Sequence, residues 1–405
     1  MRSLVRSSPT AALALVAAIL GGAVVLVLAK ATGALHGSTE TVFVGEAAPK
    51  GDIQPPVVVA KPLAGNGFQP AQIYKRRSPG VVTIFAYYDT GADEGEQGSG
   101  FVVSKTGTIL TSAHVVTTAG QSTGGPVEKA HNLYVEFADG DRVSASIVGY
   151  DLYDDVAVLH VDPALHAVSP VPLGNSNRVV VGEPVAAIGS PFGDAGSLTV
   201  GVVSAIRRSI PSQTAAAYDL VDAIQTDAPI NHGNSGGPLF DARGEVIGIN
   251  AQISSSGPNT GSEGVGFAVP IDSARRSMDE VLATGAVHYA YVGVSTEDLT
   301  PAVARRFGYA AKQGALIDSV VPGGPAAAAG LLASTRTVAY EGLAVHVGGD
   351  AIVAIDGLPV RNAEDVVRIV ATRLLPGEVA RFTVVRGAAR RTVRVKLGER
   401  PPAVG

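Results

Sequence analysis

The sequence predicts a mainly β body, a barrel or sandwich, followed by a small α+β module. Three observations carry that expectation. Valine-rich, β-branched runs recur between about residues 80 and 270 with no long helical pattern between them, which argues against alternating β-α units. The 405 residues include 49 glycines and 25 prolines, the turn chemistry that many short strands need. A helical stretch, "DSARRSMDEVLATG", then interrupts the pattern, and the residues after it mix strands with two helices.

The elements are taken in chain order. Arg2 and Arg6 precede an uncharged run, Ala11 to Ala29, long enough to span a bilayer of ~30 Å at ~1.5 Å per residue. The flanking arginines keep the N-terminus in the cytoplasm, so residues 1–32 are expected to be a cytoplasmic tip and single-pass membrane anchor. The competing reading is a cleaved signal peptide, with Ala29-Lys30-Ala31 as the cleavage site. Both readings send the bulk of the chain outside the cytoplasm. Residues 33–69 are proline-containing and aperiodic, a flexible linker.

A short helix, "PAQIYKRRSPG", opens a β domain expected over 70–275. Its strands include "GSGFVVS", "GTILTSAHVV", "DVAVLHV", "PVAAIG", "SLTVGVVSAI", "DAIQTDAPI", "GEVIGINAQI" and "VGFAVPI", with a hairpin turning at Asp139-Gly140. The helical stretch has Asp272 as a candidate N-cap and Gly285 near its end, and 276–288 is expected to connect to the next domain. That domain, 289–399, holds the helices "PAVARRFG" and "NAEDVVRIVATRL", the latter capped by Asn362, and closes on a hairpin.

Composition excludes several functions. With no cysteine there is no disulfide scaffold, thiol catalysis or cysteine metal site. A net charge of -5 leaves no electrostatic footprint for nucleic acid. No feature calls for a metal or an organic cofactor.

The chemistry centres on "INHGNSGGPLF", residues 230–240. A serine hydroxyl needs a base to take its proton and N–H groups aimed at the developing oxyanion. Glycines around Ser235 let the backbone turn so that the N–H groups of Gly233 and Ser235 serve as those donors. His232 is too close along the loop to align with the hydroxyl. The better base is His114, at the end of the apolar strand "ILTSAHVV". The orienting acid comes from "YDLYDDVAVLHV", which offers Asp151, Asp154 and Asp155. Asp155 directly precedes the strand run and is preferred, with Asp154 the runner-up. The order His, Asp, Ser differs from subtilisin-like and α/β-hydrolase orders, and a hydrolase would need its histidine after Ser235, where only His288 and His346 remain.

The segments "GSGFVVSKTGTILTSAHVV", "DDVAVLHV", "AIGSPFG", "QTDAPINHGNSGGPLF", "GEVIGIN" and "GVGFAVPID", in that order, resemble the HtrA/Deg family, trypsin-like serine proteases with C-terminal PDZ domains. The resemblance implies a chymotrypsin-like fold of two perpendicular six-stranded β-barrels with the active site between them, plus a PDZ domain. It implies His114 as general base, Asp155 as its partner, Ser235 as nucleophile, and Gly233 and Ser235 as the oxyanion hole. It also implies a specificity pocket walled by Ile230, with His232 at its rim, favouring small or medium aliphatic residues. The family reads "AINPGNSGG" here, whereas this chain has Pro229 earlier and His232 in place of that proline. Tyr291, Val292, Gly293 and Val294 match the loop that receives a peptide C-terminal carboxylate, and 333–347 is an insertion relative to the family pattern, expected as an extra hairpin or loop. The resemblance further implies unfolded or C-terminally exposed polypeptide substrates, PDZ peptide ligands, a homotrimer, and activation loops in "GSPFGDAGSLTVG" and "QISSSGPNTGSEGVG".

Overall fold

The computed structural model describes residues 67–88, 95–119, 126–189, 196–215, 218–231, 233–251 and 264–401. The expected anchor, most of the linker, His232, residues 190–195 of the first expected activation loop and residues 252–263 of the second lie outside the described residues. Among the described residues, no helix is long and apolar enough to cross a membrane.

Helix α1 (Pro70–Arg77) has proline in its first turn, where the missing N–H costs nothing, and buries Ile73. The first sheet follows: β1 (Val81–Tyr87), β2 (Gly95–Val102), β3 (Thr108–Thr111), the one-turn helix α2 (Ala113–Val116), β4 (Asn132–Glu136), β5 (Arg142–Ser144), β6 (Ser146–Asp151) and β7 (Val156–His160). Its order is β5-β4-β1-β2-β3-β7-β6. The two ends of that order, β5 and β6, are separated along the chain by Ala145 alone, so the sheet curls round until its first and last members join covalently. Counted as one bent strand, β5-β6 gives the six strands that the resemblance implied.

The second sheet is a closed barrel of β8 (Pro184–Gly189), β9 (Ser197–Pro211), β10 (Asp219–Thr226), β11 (Pro238–Phe240), β12 (Val246–Ala251) and β13 (Gly266–Pro270), in the order β10-β13-β12-β11-β8-β9. Closure leaves no edge strand open to unwanted pairing. One core joins Phe101 and Leu110 of the first sheet to Ile188, Phe240 and Ile249 of the second, all fully buried. Each such side chain contributes about 1.5–3 kcal/mol of burial free energy.

Helix α3 (Ile271–Thr284) packs Ile271, Ala274 and Val281 on the same core and ends at Gly285, which takes the left-handed φ of 83° that glycine tolerates. Asp272 is not its N-cap, as the sequence suggested. Pro270 holds that position, and the Asp272 carboxylate instead accepts from Ser176, Asn177 and Arg275. Proline fixes the entry to the helix by its own φ, and the Asp272 N–H of the first turn donates to Ser176 Oγ at 3.2 Å.

The C-terminal domain runs through β14 (Ala290–Tyr291), β15 (Val294–Leu299), α4 (Pro301–Phe307), β16 (Gly314–Val320), α5 (Pro325–Ala328), β17 (Arg336–Tyr340), β18 (Leu343–Val347), β19 (Asp350–Ile355), β20 (Leu358–Pro359), α6 (Ala363–Arg373), β21 (Val379–Arg386), β22 (Ala389–Lys396) and β23 (Gly398–Glu399). Its main sheet is ordered β15-β16-β19-β21-β22, which makes β15 an edge strand. Asn362 caps α6 through Asp365 N–H, as its sequence predicts. The insertion forms the hairpin β17-β18, whose Val345 and Val347 build a second small core with Leu299, Val303 and Leu316.

Candidate active site

The first barrel supplies a histidine and an aspartate. His114 was expected at a strand end. It sits one step further on, in the single turn of α2, because the chain leaves β3 at Ser112 and immediately coils. The Asp155 carboxylate takes two hydrogen bonds from it, from the His114 N–H at 2.9 Å and from the ring Nδ1 at 2.7 Å. The Asp155 carbonyl also accepts from Ala113 N–H at 3.2 Å. The two side chains are 19% and 7% exposed, so one ring edge still reaches solvent. Burial lowers the His114 pKa, but the charge and hydrogen bond of Asp155, helped by Glu96, outweigh it and hold the pKa above its usual value.

Asp155 has a φ of 51°, unusual for a residue with a side chain. That conformation turns its carboxylate away from the neighbouring Asp154, which faces Arg276 instead. The two acids offered by "LYDDV" therefore point to different partners, and only Asp155 meets His114.

The second barrel supplies the serine loop between β10 and β11. Gly233 and Gly236 have φ values of 91° and 82° on either side of Asn234-Ser235. A methyl group on Gly236 would come within 2.2 Å of Thr111 Oγ1 and 2.3 Å of Ser99 O. Ser99 of β2 clamps this loop from the first barrel: its N–H donates to the Ser235 carbonyl at 2.8 Å and its hydroxyl to the Gly233 carbonyl at 2.5 Å. The Gly236 N–H donates to Asn250 of β12 at 2.8 Å. With those carbonyls engaged, the N–H groups of Gly233 and Ser235 find no acceptor among the described residues. The Ser99 clamp was not singled out by sequence reasoning, although "GSG" was within a quoted motif and glycines on both sides signal a close approach.

The Ser235 hydroxyl is buried and makes no hydrogen bond among the described residues. Gly98 marks how close the parts lie: a methyl group there would be 2.6 Å from Val115, next to His114, and 3.2 Å from the Ser235 carbonyl. The structure thus joins His114 to Asp155 directly and brings the serine loop against the same glycine as α2. Ile230 is 5% exposed in the core of the second barrel, against Gly266. Among the described residues, no group of acidic and histidine side chains could hold a metal ion.

In the C-terminal domain, Tyr291 pairs with Gly398, and the carbonyls of Val292 and Gly293 accept from Ala326 and Val321. Gly293 turns the loop at a φ of 75°, and Val294 begins the edge strand β15. Helix α6 flanks that edge, with Ala363 N–H donating to Asp298 at 2.8 Å. His346 of the insertion reaches Glu297 of β15 at 3.1 Å and Asp318 at 3.4 Å.

Comparison with known proteins gives the same two parts. Residues 98–249 match the trypsin-like peptidase domain and residues 290–397 the PDZ domain. The chain is 38% identical over 304 residues to a probable periplasmic serine endoprotease DegP-like of Pseudomonas fulva, covering 75% of this chain and 56% of that one. It is 37% identical over 310 residues to Protease Do-like 1, chloroplastic, of Arabidopsis thaliana, covering 75% of this chain and 64% of that one. The chain spans little more than half the length of the curated relatives it matches. Among solved structures, an HtrA-type protease AlgW with tripeptide superposes with a TM-score of 0.66 at 33% identity, over 82% of this chain and 98% of that one. The Yersinia pestis serine endoprotease superposes with a TM-score of 0.56 at 28% identity, over 82% and 98%. A trypsin-like double barrel, a PDZ domain behind it and these matches together show that the chain belongs to the HtrA/DegP family of trypsin-like serine proteases.

Proposed function

We propose that the chain is an extracytoplasmic serine endopeptidase that cuts misfolded or tagged polypeptides. The observation that carries this reading is the 2.7 Å contact between His114 Nδ1 and Asp155, beside a serine loop in which the N–H groups of Gly233 and Ser235 have no acceptor among the described residues. Asp155 holds the imidazole so that Nε2 faces the nucleophile, and it stabilises the charged ring. His114 takes the Ser235 proton as Oγ attacks the scissile carbonyl, and the N–H groups of Gly233 and Ser235 bind the oxyanion. The proton then passes to the leaving amine, and water, activated by the same histidine, releases the acyl group. The serine–histidine bond closes as substrate enters, since Ser235 Oγ is unpaired beforehand.

Ile230 makes the primary pocket apolar, which favours cleavage after small or medium aliphatic residues. The family resemblance assigns His232 to the pocket rim, and superimposable pH–rate curves for wild type and His232→Pro would remove any role for its titration. The PDZ domain receives a peptide carboxylate at Tyr291–Val294 and adds the peptide as a strand to the open edge of β15. The periplasmic naming of the relatives supports action outside the cytoplasm. The apolar run Ala11 to Ala29 behind Arg2 and Arg6 serves as the anchor, which membrane fractionation tests. The homotrimer rests on family resemblance and is tested by sedimentation.

The decisive experiment is casein hydrolysis by the chain and its Ser235→Ala variant. Ser235-dependent cleavage is expected. Equal activity in both would remove the triad, and no activity in either would favour the alternative of an idle protease acting as a PDZ scaffold.

A further inference from the structure

Next to Asp155 in the chain, the turn of residues 151–155, helix α3, Tyr289 and the segment just after strand β23 converge on a buried polar cluster. Asp151 and Asp154 are 2% and 5% exposed. Asp151 accepts from the hydroxyls of Ser277 and Tyr289 at 2.6 Å each, and from the N–H groups of Tyr153 and Asp154 at 2.9 and 3.3 Å. Arg276 donates to Asp154 at 3.2 Å and, through its other terminal nitrogen, to the Ala371 carbonyl of α6 at 3.0 Å.

The second cation of the cluster comes from the end of the PDZ domain. The Arg400 guanidinium lies 4.9, 5.0 and 4.7 Å from the ring centres of Tyr153, Tyr218 and Tyr289. Its charge also acts on Asp154. The backbone around it is fixed: Arg400 N–H donates to the Tyr289 carbonyl at 2.9 Å, and the Tyr153 hydroxyl donates to the Pro401 carbonyl at 2.5 Å. Tyr153 therefore grips this segment with both its ring and its hydroxyl, two residues before Asp155.

Asp155 needs such bracing. Its left-handed backbone is unfavourable for a residue with a side chain and persists only where its surroundings hold it. Without Arg400, two buried carboxylates would face each other with Arg276 as the remaining guanidinium, and their repulsion would act on the turn. Three ring faces offer a guanidinium a seat that is worth most when water is excluded.

We propose that Arg400 is a positioning residue for Asp155: seated among Tyr153, Tyr218 and Tyr289, it braces the turn that presents the carboxylate to His114. Turnover in the protease domain then depends on the segment just after the last strand of the PDZ domain being docked. This rests on the triad reading above.

The test uses the full chain as wild type, Arg400→Gln, Arg400→Lys, Tyr153→Phe and Asp155→Asn. Two quantities are read: turnover of a chromogenic peptide too short to reach the PDZ groove, and the pH dependence of Ser235 labelling by a fluorophosphonate. Arg400→Gln is expected to lower kcat about tenfold, the scale of one desolvated cation–π contact, with KM within about twofold. The acid limb of labelling should move to lower pH, toward that of Asp155→Asn, and Arg400→Lys should restore most of both. A wild-type kcat and acid limb in Arg400→Gln would overturn the proposal, whatever happens to its melting temperature. If circular dichroism shows Arg400→Gln unfolded, Tyr153→Phe decides: it keeps the ring and releases Pro401, so a smaller shift the same way is expected and none would overturn the proposal. A wild type that does not label, or an Asp155→Asn equal to wild type, would sink the triad reading itself and this proposal with it.

Discussion

Asp155 grips His114 twice, accepting from its backbone N–H at 2.9 Å and from its ring Nδ1 at 2.7 Å. One carboxylate thus fixes where the histidine sits, which way the ring faces and which nitrogen carries the proton. Substitution by asparagine keeps the shape and one acceptor oxygen, but it loses the charge and the control over which ring nitrogen carries the proton. For Asp155→Asn we expect kcat on a short peptide to fall by about 10⁴-fold with little change in fold. The charge of Asp155 is also what lifts the His114 pKa above its usual value against burial. Activity needs neutral His114 and is lost as pH falls through that raised pKa. In Asp155→Asn the acid limb of kcat/KM should therefore move to lower pH.

The serine loop tolerates no side chain at Gly236, where a methyl group would press on Ser99 O and Thr111 Oγ1 at a φ of 82°. Gly236→Ala should lower stability by at least about 1–2 kcal/mol, from strain and displaced hydrogen bonds. Urea unfolding measures it, and an unchanged midpoint would show that the loop has room to shift.

Asp154 gives a second pH signature. Burial, with Asp151 adding repulsion, raises its pKa to about 6 despite Arg276. The folded state therefore binds a proton that the unfolded state has already released, and stability from this group falls as pH rises from about 4 to 6. Asp154→Asn resembles the protonated form and should flatten that part of the stability curve. Melting temperature against pH is the measurement, and an unaltered slope between pH 4 and 6 would contradict the assignment.

His346 ties the inserted hairpin to β15. Its hydrogen bond to Glu297 raises its pKa, and the charges of Glu297 and Asp318 add to that. The tie is complete below the ordinary histidine pKa and is lost as pH rises through the raised value. Hydrogen exchange across 336–347, corrected for intrinsic rates, should show less protection at pH 8.5 than at pH 6. In His346→Ala that difference should vanish.

Much of the site was legible in the sequence because its motifs are local. The glycines around Ser235 must sit beside it, and Asp155 opens a strand whose apolar run is visible. The sequence already favours Asp155 over Asp154 by its place before the strand, but it shows neither the left-handed φ of 51° at Asp155 nor the pairing of Asp154 with Arg276. Asp272 misled because an acid in a first turn looks like a cap even when proline already sets the helix entry. The cage around Arg400 left no trace at all. Tyr153, Tyr218, Tyr289 and Arg400 come from four distant segments, and no local pattern links them.

The open edge of β15 has a cost as well as a use. Any extended segment could zip onto its unpaired backbone, including the same strand of a neighbouring molecule, and stacked copies of that kind grow into fibres. Glu297 and Asp298 lie side by side on that strand. In-register stacking of two copies would set like carboxylates opposite each other, which opposes self-stacking. Both carboxylates are also tied within the domain, Glu297 to His346 and Asp298 to the Ala363 N–H, so the charges that repel a second copy are held in place on the strand.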